Sequence, residues 1–240
     1  MKLILKNISR TYDGHVALND CSFSVNAGFF NAIIGPNGSG KSTLLRIACL
    51  LEAPDKGEVI YSANGSAVKK DILLKRKIAV VLPGDSLFND TVFNNIAYGL
   101  RIRGMDRHVV RDKVHDILER FKLSDKIYKN VRTLSSGEAQ RIGVARALVT
   151  GPEYLFLDEP TASLDPVNTE IIETALMEIK AGNGMTIIMI THNMFQARRL
   201  ADRVAFIYGG CMIEEAESER MFSNPEEDLT RRFVSGKMVW

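Results

Sequence analysis

Hydrophobic positions along this chain change period several times, and each change marks a different element. Residues 3–8, 21–25 and 29–34 are alternating or continuous in apolar side chains and read as strands. The last of these runs straight into a glycine-rich segment, residues 35–40, after which residues 42–51 read as a helix. Residues 59–61 and 78–82 predict further short strands, the first following the turn-forming residues 54–57. From about residue 92 to residue 149 the spacing becomes helical: Val109, Val110, Val114, Ile117, Leu118 and Phe121 recur at intervals of three and four. Two short, continuous apolar strands follow, residues 154–157 after Gly151-Pro152 and residues 186–190 after the glycines of 182–184. Continuous apolar strands alternating with helices predict a parallel sheet buried on both faces, and so an α/β fold. The tail, residues 214–240, reads as mixed helix and loop, and no internal repeat is present.

A length of 240 residues suits one large α/β domain, or one domain with an inserted lobe. The 31 basic and 29 acidic residues nearly cancel, to a formal charge of +2, which argues against a nucleic-acid partner held by bulk positive charge. Cys21, Cys49 and Cys211 form no CxxC pair, so neither a zinc site nor a disulfide framework is indicated, and scattered thiols fit a reducing cytosol. The N-terminal sequence MKLILKNISRTYDG turns polar too soon for a signal peptide. Apolar runs such as residues 185–190 fall far short of the ~20 residues that cross a bilayer. Any role at a membrane would therefore depend on a separate membrane partner.

Two motifs carry chemistry. Gly35, Pro36, Asn37, Gly38, Ser39, Gly40, Lys41 and Ser42 fit the pattern GxxxxGK[ST] between a predicted strand and a predicted helix. Glycines let the backbone wrap closely around phosphate, and the helix start adds partial positive charge at the same place. Lys41 is expected to reach the β- and γ-phosphates and Ser42 to offer its hydroxyl to Mg²⁺, with Thr43 a further phosphate contact. The second motif, Asp158-Glu159, ends an apolar strand. Asp158 is placed to hold Mg²⁺ at the sheet edge, and Glu159 to orient or deprotonate the attacking water. Together the motifs predict a nucleotide-binding P-loop protein, without saying which kind.

A third string, Leu134-Ser135-Ser136-Gly137-Glu138-Ala139-Gln140-Arg141, decides between P-loop families. Alone it is also an ordinary helix N-cap. In its order and spacing ahead of the acidic pair it resembles the LSGGQ-like signature of the ABC ATPases, and the resemblance covers nearly the whole chain. It implies a RecA-like parallel sheet core with an antiparallel β lobe. It also implies one ABC ATPase domain over residues 1–240, with a helical lobe inserted at roughly residues 86–150. In such cassettes Ser135, Ser136 and Gly137 would bind the γ-phosphate held by the opposite subunit of a homodimer formed with ATP. Tyr12 matches the adenine-stacking aromatic, though a strand-edge tyrosine explains it equally. Asp165, in Ser163-Leu164-Asp165, matches the loop through which cassettes touch each other. His192 matches the histidine that contacts the γ-phosphate, and the other histidines, His15, His108 and His115, are read as surface residues.

Two departures stand out. Ser136 replaces a usual glycine, and Pro83-Gly84-Asp85 stands where the family has a magnesium-contacting glutamine. Proline has no side-chain donor or acceptor, so that contact does not transfer to Pro83. Asp85 either reaches inward in its place or is an exposed turn residue. A cassette without a fused membrane domain resembles those of importers. It would be peripheral on the cytoplasmic face of the membrane, joined to integral permease subunits and an extracytoplasmic solute-binding protein. Motion would pass to the permease through residues 83–89 and the helical lobe. Residues 46–52, 97–104 (AYGLRIRG), 191–202 (THNMFQARRLAD) and 233–240 (FVSGKMVW) resemble oxyanion importers, the tungstate group above all. Molybdate comes second, then phosphate or polar amino acids, with an exporter or lipid-releasing complex as the remaining alternative.

Overall fold

A computed structural model describes residues 1–84 and 87–238 of the chain. Asp85, considered above as a magnesium contact, lies outside the described residues, as do Ser86 and the last two residues of the FVSGKMVW ending.

The chain opens with a long hairpin, β1 (Lys2–Tyr12) and β2 (His15–Val25), then β3 (Phe30–Ile34) and α1 (Lys41–Ala48). Next come β4 (Lys56–Ala63), β5 (Ser66–Ala67), α2 (Ile72–Lys75) and β6 (Ile78–Val81). Helices α3 (Val92–Arg101), α4 (Arg107–Arg120) and α5 (Ser136–Leu148) lead to β7 (Tyr154–Asp158). The remainder is α6 (Pro166–Asn183), β8 (Thr186–Ile190), α7 (Met194–Leu200), β9 (Arg203–Tyr208), β10 (Cys211–Glu217), α8 (Ser218–Ser223) and α9 (Asp228–Val234).

The strands form two sheets. The larger has the order β10-β9-β3-β8-β7-β6 and is parallel except for β10, which returns antiparallel on β9. The smaller, β2-β1-β4-β5, is antiparallel. Side chains of the parallel strands alternate between two cores, as a strand period of two requires. Ala32, Leu155, Leu157, Ile187 and Met189 face the core shared with α3, α4 and α5. Ile33, Tyr154, Phe156, Ile188 and Ile190 face the core shared with α1 and the antiparallel sheet. Burial on both faces is why these strands read as unbroken apolar runs. Burying each Leu or Ile contributes roughly 1.5–3 kcal/mol.

The expected parallel sheet, antiparallel lobe and inserted helices are all present. Two local expectations need correction. The helix expected over residues 42–51 ends at Ala48, because Leu50 turns left-handed (φ 63°) and the N–H groups of Leu51 and Glu52 return to the Arg46 carbonyl. The tail was expected as helix and loop from residue 214, yet residues 214–217 belong to β10. Their charges sit on an edge strand, which weakens an apolar alternation. Of the glycines ahead of β8, Gly182 lies within α6 and Gly184 (φ 62°) caps its end.

Candidate functional site

The phosphate loop links β3 to α1, so the end of a fully buried strand fixes where the loop begins. Gly40 is the N-cap of α1 at φ 99°, and a Cβ there would meet the Ala17 carbonyl oxygen at 2.4 Å. Only glycine satisfies both conditions. Lys41 is 6% exposed, and its ammonium donates to the carbonyls of Gly35 (2.9 Å) and Pro36 (2.7 Å). Burial pushes the Lys41 pKa down, against the pull of Glu159 and Asp158. Asn37 and Gly38 are exposed at the tip, whereas Ser39 is buried with its hydroxyl oxygen unpartnered. Thr43 is half-buried in the first turn of α1.

Beside this loop, β7 delivers Asp158, 3% exposed, to the sheet edge. Burial raises its pKa, and the nearby Ser42 hydroxyl opposes the rise. One carboxylate oxygen, Oδ2, is buried without a partner. A hydroxyl and an orphaned carboxylate oxygen side by side form a donor set that fits a hard divalent cation such as Mg²⁺. Glu159 follows in left-handed backbone (φ 50°), a conformation that costs a non-glycine residue roughly 1–2 kcal/mol. Its N–H donates to the Ile190 carbonyl at 3.1 Å, tying it to β8. That strand also ends next to His192, whose Nδ1 lies 3.2 Å from Glu159 Oε2. Glu159, His192, Gly35, Pro36 and Asn37 line one pocket of about 460 Å³, together with Phe233 of α9. The sequence reading missed Phe233; its apolar neighbour on β9, Phe206, stacks on it at 4.7 Å.

Other expected site residues lie elsewhere in the single chain. Ser135 caps α5 in a capping box: its hydroxyl accepts from Glu138 N–H at 3.2 Å, and Glu138 accepts from Ser135 N–H at 2.8 Å. Ser136 opens the helix, and Gly137 is buried where a Cβ would meet the Asn168 side chain at 2.6 Å. Asp165 caps α6, and its carboxylate accepts from both the backbone and side-chain N–H groups of Asn168. Asn168 thus joins the signature start to the Asp165 loop, and Gln140 Nε2 donates to the Pro160 carbonyl at 3.0 Å, joining α5 to the residue after Glu159. Neither link has a motif in the sequence. Tyr12 is half-buried; its hydroxyl donates to Glu52 just after α1, and the Arg10 guanidinium lies 4.8 Å from its ring centre. His15, His108 and His115 are exposed.

This arrangement can hold polyphosphate between Lys41 and the loop amides and place a carboxylate and an imidazole at its outer end. The family model for the ABC transporter matches residues 18–162. A probable anion import ATP-binding protein of Haloferax volcanii is 37% identical, covering 100% of this chain and 88% of its own length. The tungstate uptake system ATP-binding protein TupC of Peptoclostridium acidaminophilum is 38% identical over 88% of this chain and 96% of its own length. The methionine import ATP-binding protein MetN of Caulobacter vibrioides is also 38% identical, over 97% of this chain and 72% of its own length. In the solved structures, the dimeric ATP-binding cassette MJ0796 bound to ADP and Pi superimposes with a TM-score of 0.81 at 28% identity, covering 90% of this chain and 98% of that one. With the family model matching more than half its length and its fold that of a solved cassette, the chain belongs to the ABC transporter family and is an ABC-type ATPase.

Proposed function

We propose that this cassette powers import of a small oxyanion, tungstate first, and that the residues gathered around the phosphate loop carry its ATP hydrolysis. The observation that supports the catalytic part is the convergence of Lys41, the Ser42–Asp158 pair and the Glu159–His192 pair at the ends of adjacent strands. Glu159 accepts the proton of the attacking water, and His192 meets the γ-phosphate that receives it. Lys41 turns from its own carbonyls to the phosphates, where its charge offsets the charge spread over the transferring group. Ser42 and Asp158 would hold Mg²⁺, whose charge neutralises phosphate oxygens when bound. Tyr12 stacks on adenine. Ser135, Ser136, Gly137 and the Asp165 loop serve the opposite subunit of a homodimer. Residues 1–240 act as one cassette, peripheral on the cytoplasmic face, with permease subunits and a solute-binding protein as partners and no nucleic acid. Among the described residues no helix is long and apolar enough to cross a membrane.

The substrate reading is supported by the four stretches that resemble oxyanion importers and by the anion and tungstate relatives. The methionine relative of equal identity makes methionine the control substrate. Deleting the gene is expected to abolish tungstate uptake, with methionine uptake intact. The parent chain is expected to restore it and Glu159→Gln to fail. Unchanged tungstate uptake overturns the substrate. Full rescue by Glu159→Gln overturns the catalytic assignment.

A further inference from the structure

Behind the Glu159–His192 pair lies a buried amide that the catalytic motifs do not include. Gln196 lies in α7 and is 2% exposed. Its Nε2 donates to Thr161 Oγ1 and to Glu173 Oε1, both at 2.8 Å, and its Oε1 accepts from Thr191 Oγ1 at 2.7 Å. Thr161 stands two residues after Glu159, and Thr191 immediately before His192. One side chain therefore bonds both loops that present the pair. The third partner, Glu173 of α6, is itself fixed by Arg199 at 2.6 Å.

The strand ends beneath the two loops are held by the pairing of β7 with β8 and by the bond from Glu159 N–H to the Ile190 carbonyl; the tether acts beyond them. The two loops border a pocket of about 850 Å³, lined among others by Glu159, Thr161, Glu173, His192 and Arg199, and not a close-packed core. On that side of the strand ends, the hydrogen bonds of Gln196 join one loop to the other. Two donors and an acceptor on one short planar group are what a primary amide offers; an ionised carboxylate accepts only.

We infer that Gln196 is a positioning residue for hydrolysis, holding the Glu159 and His192 loops at the separation the water attack needs. This rests on the reading of Glu159 as the base. Charged and titratable groups facing the bridge are Glu159, His192, Arg199 and, along α6, Glu170, Glu173 and Glu178.

Steady-state Mg²⁺-ATP hydrolysis by the full chain, measured across pH for four variants, tests it. Gln196→Glu keeps the shape but sets a second carboxylate against Glu173. Its kcat is expected to fall about 100-fold at mildly alkaline pH, the cost of about 1 Å of misplacement. Toward mildly acidic pH it recovers in part, because a proton shared by the two carboxylates restores one donor. Thr161→Val cuts the tether on the Glu159 side without changing volume, and should lower kcat at every pH with the KM for ATP unchanged. Gln196→Ala should lower kcat without pH recovery; the two near-isosteric variants keep the test valid should it fail to fold. Parent-like kcat in both Gln196→Glu and Thr161→Val, or a loss confined to KM, overturns the inference. The fourth variant, Glu159→Gln, separates the two readings. If it hydrolyses ATP like the parent, the underlying site assignment fails. If it is inactive while the tether variants are parent-like, only the role of Gln196 fails.

Discussion

Lys41 satisfies its buried ammonium with two carbonyls of its own loop, so its charge is kept in place before any phosphate arrives. Lys41→Ala removes that charge and is expected to weaken ATP binding at least tenfold by fluorescent-nucleotide titration, with the far-UV circular dichroism of the parent. Gly40→Ala acts differently. Its Cβ has nowhere to go beside the Ala17 carbonyl, and left-handed backbone penalises any side chain. It should cost about 1–3 kcal/mol of stability in denaturant unfolding and abolish ATP binding as well. At Gly137 the obstacle is a side chain, Asn168, which permits a rescue experiment. Gly137→Ala alone should impair hydrolysis, and adding Asn168→Ala should restore much of it. No recovery in the double variant would show that Asn168 is not what excludes a side chain there. The phosphate loop and Asp158-Glu159 were legible in the sequence because their chemistry resides in contiguous residues. Gln196 and Asn168 were not, since Gln196 reaches Thr161 and Glu173, and Asn168 abuts Gly137, across long stretches of chain.

Among the elements, α9 is held by apolar packing and, at its approach, by a titrating side chain. Glu214 on β10 accepts from the N–H groups of Glu226 (3.0 Å) and Glu227 (3.1 Å) at the approach to this helix. Burial pushes the Glu214 pKa up, but those N–H groups, the Thr230 hydroxyl and the charge of Arg220 outweigh it, and the net shift is downward. A depressed folded-state pKa means that the stabilisation is present above the unfolded value and is lost as pH falls through the folded value. Acidification from neutrality to below about pH 4 should therefore loosen α9, read as faster proteolysis of the C-terminal segment. Glu214→Gln should remove that part of the pH dependence and cost about 1–3 kcal/mol at neutral pH in denaturant unfolding. The start of this tail reads as helix and loop in the sequence for a physical reason. Glu214, Glu215 and Glu217 break the apolar alternation on this edge strand, and only pairing with β9 makes the segment a strand.

On the scale of the whole molecule, one chain supplies the phosphate loop, Glu159 and His192 to a common pocket, while Ser135, Ser136 and Gly137 do not line it. The match to dimeric cassette structures fits a site completed by a second copy. Glu159→Gln with Mg²⁺-ATP is expected to elute from size exclusion as a dimer, and as a monomer without nucleotide. A sharper version mixes two inactive chains, Lys41→Ala and Ser135→Arg. Each variant alone has both sites broken, but a mixed dimer holds one site with an intact loop and an intact signature. Recovery of hydrolysis on mixing is the expected result, and none would mean that the signature acts within its own chain.

By itself the sequence determined the class of protein. A strand that must be buried on both faces shows its apolar run directly, and a loop that must cradle phosphate needs glycines, lysine and a hydroxyl in order. Tertiary structure decided everything that depends on the separation of distant residues. It ended α1 early through bonds back to Arg46, turned Glu159 left-handed against β8, and set Phe233 of α9 beside the phosphate loop. It also joined Thr161, Thr191 and Glu173 through one buried glutamine. The physical reason is range: local pattern encodes burial and turn chemistry, whereas a hydrogen bond across the sheet depends on where the whole chain has placed its donor and acceptor.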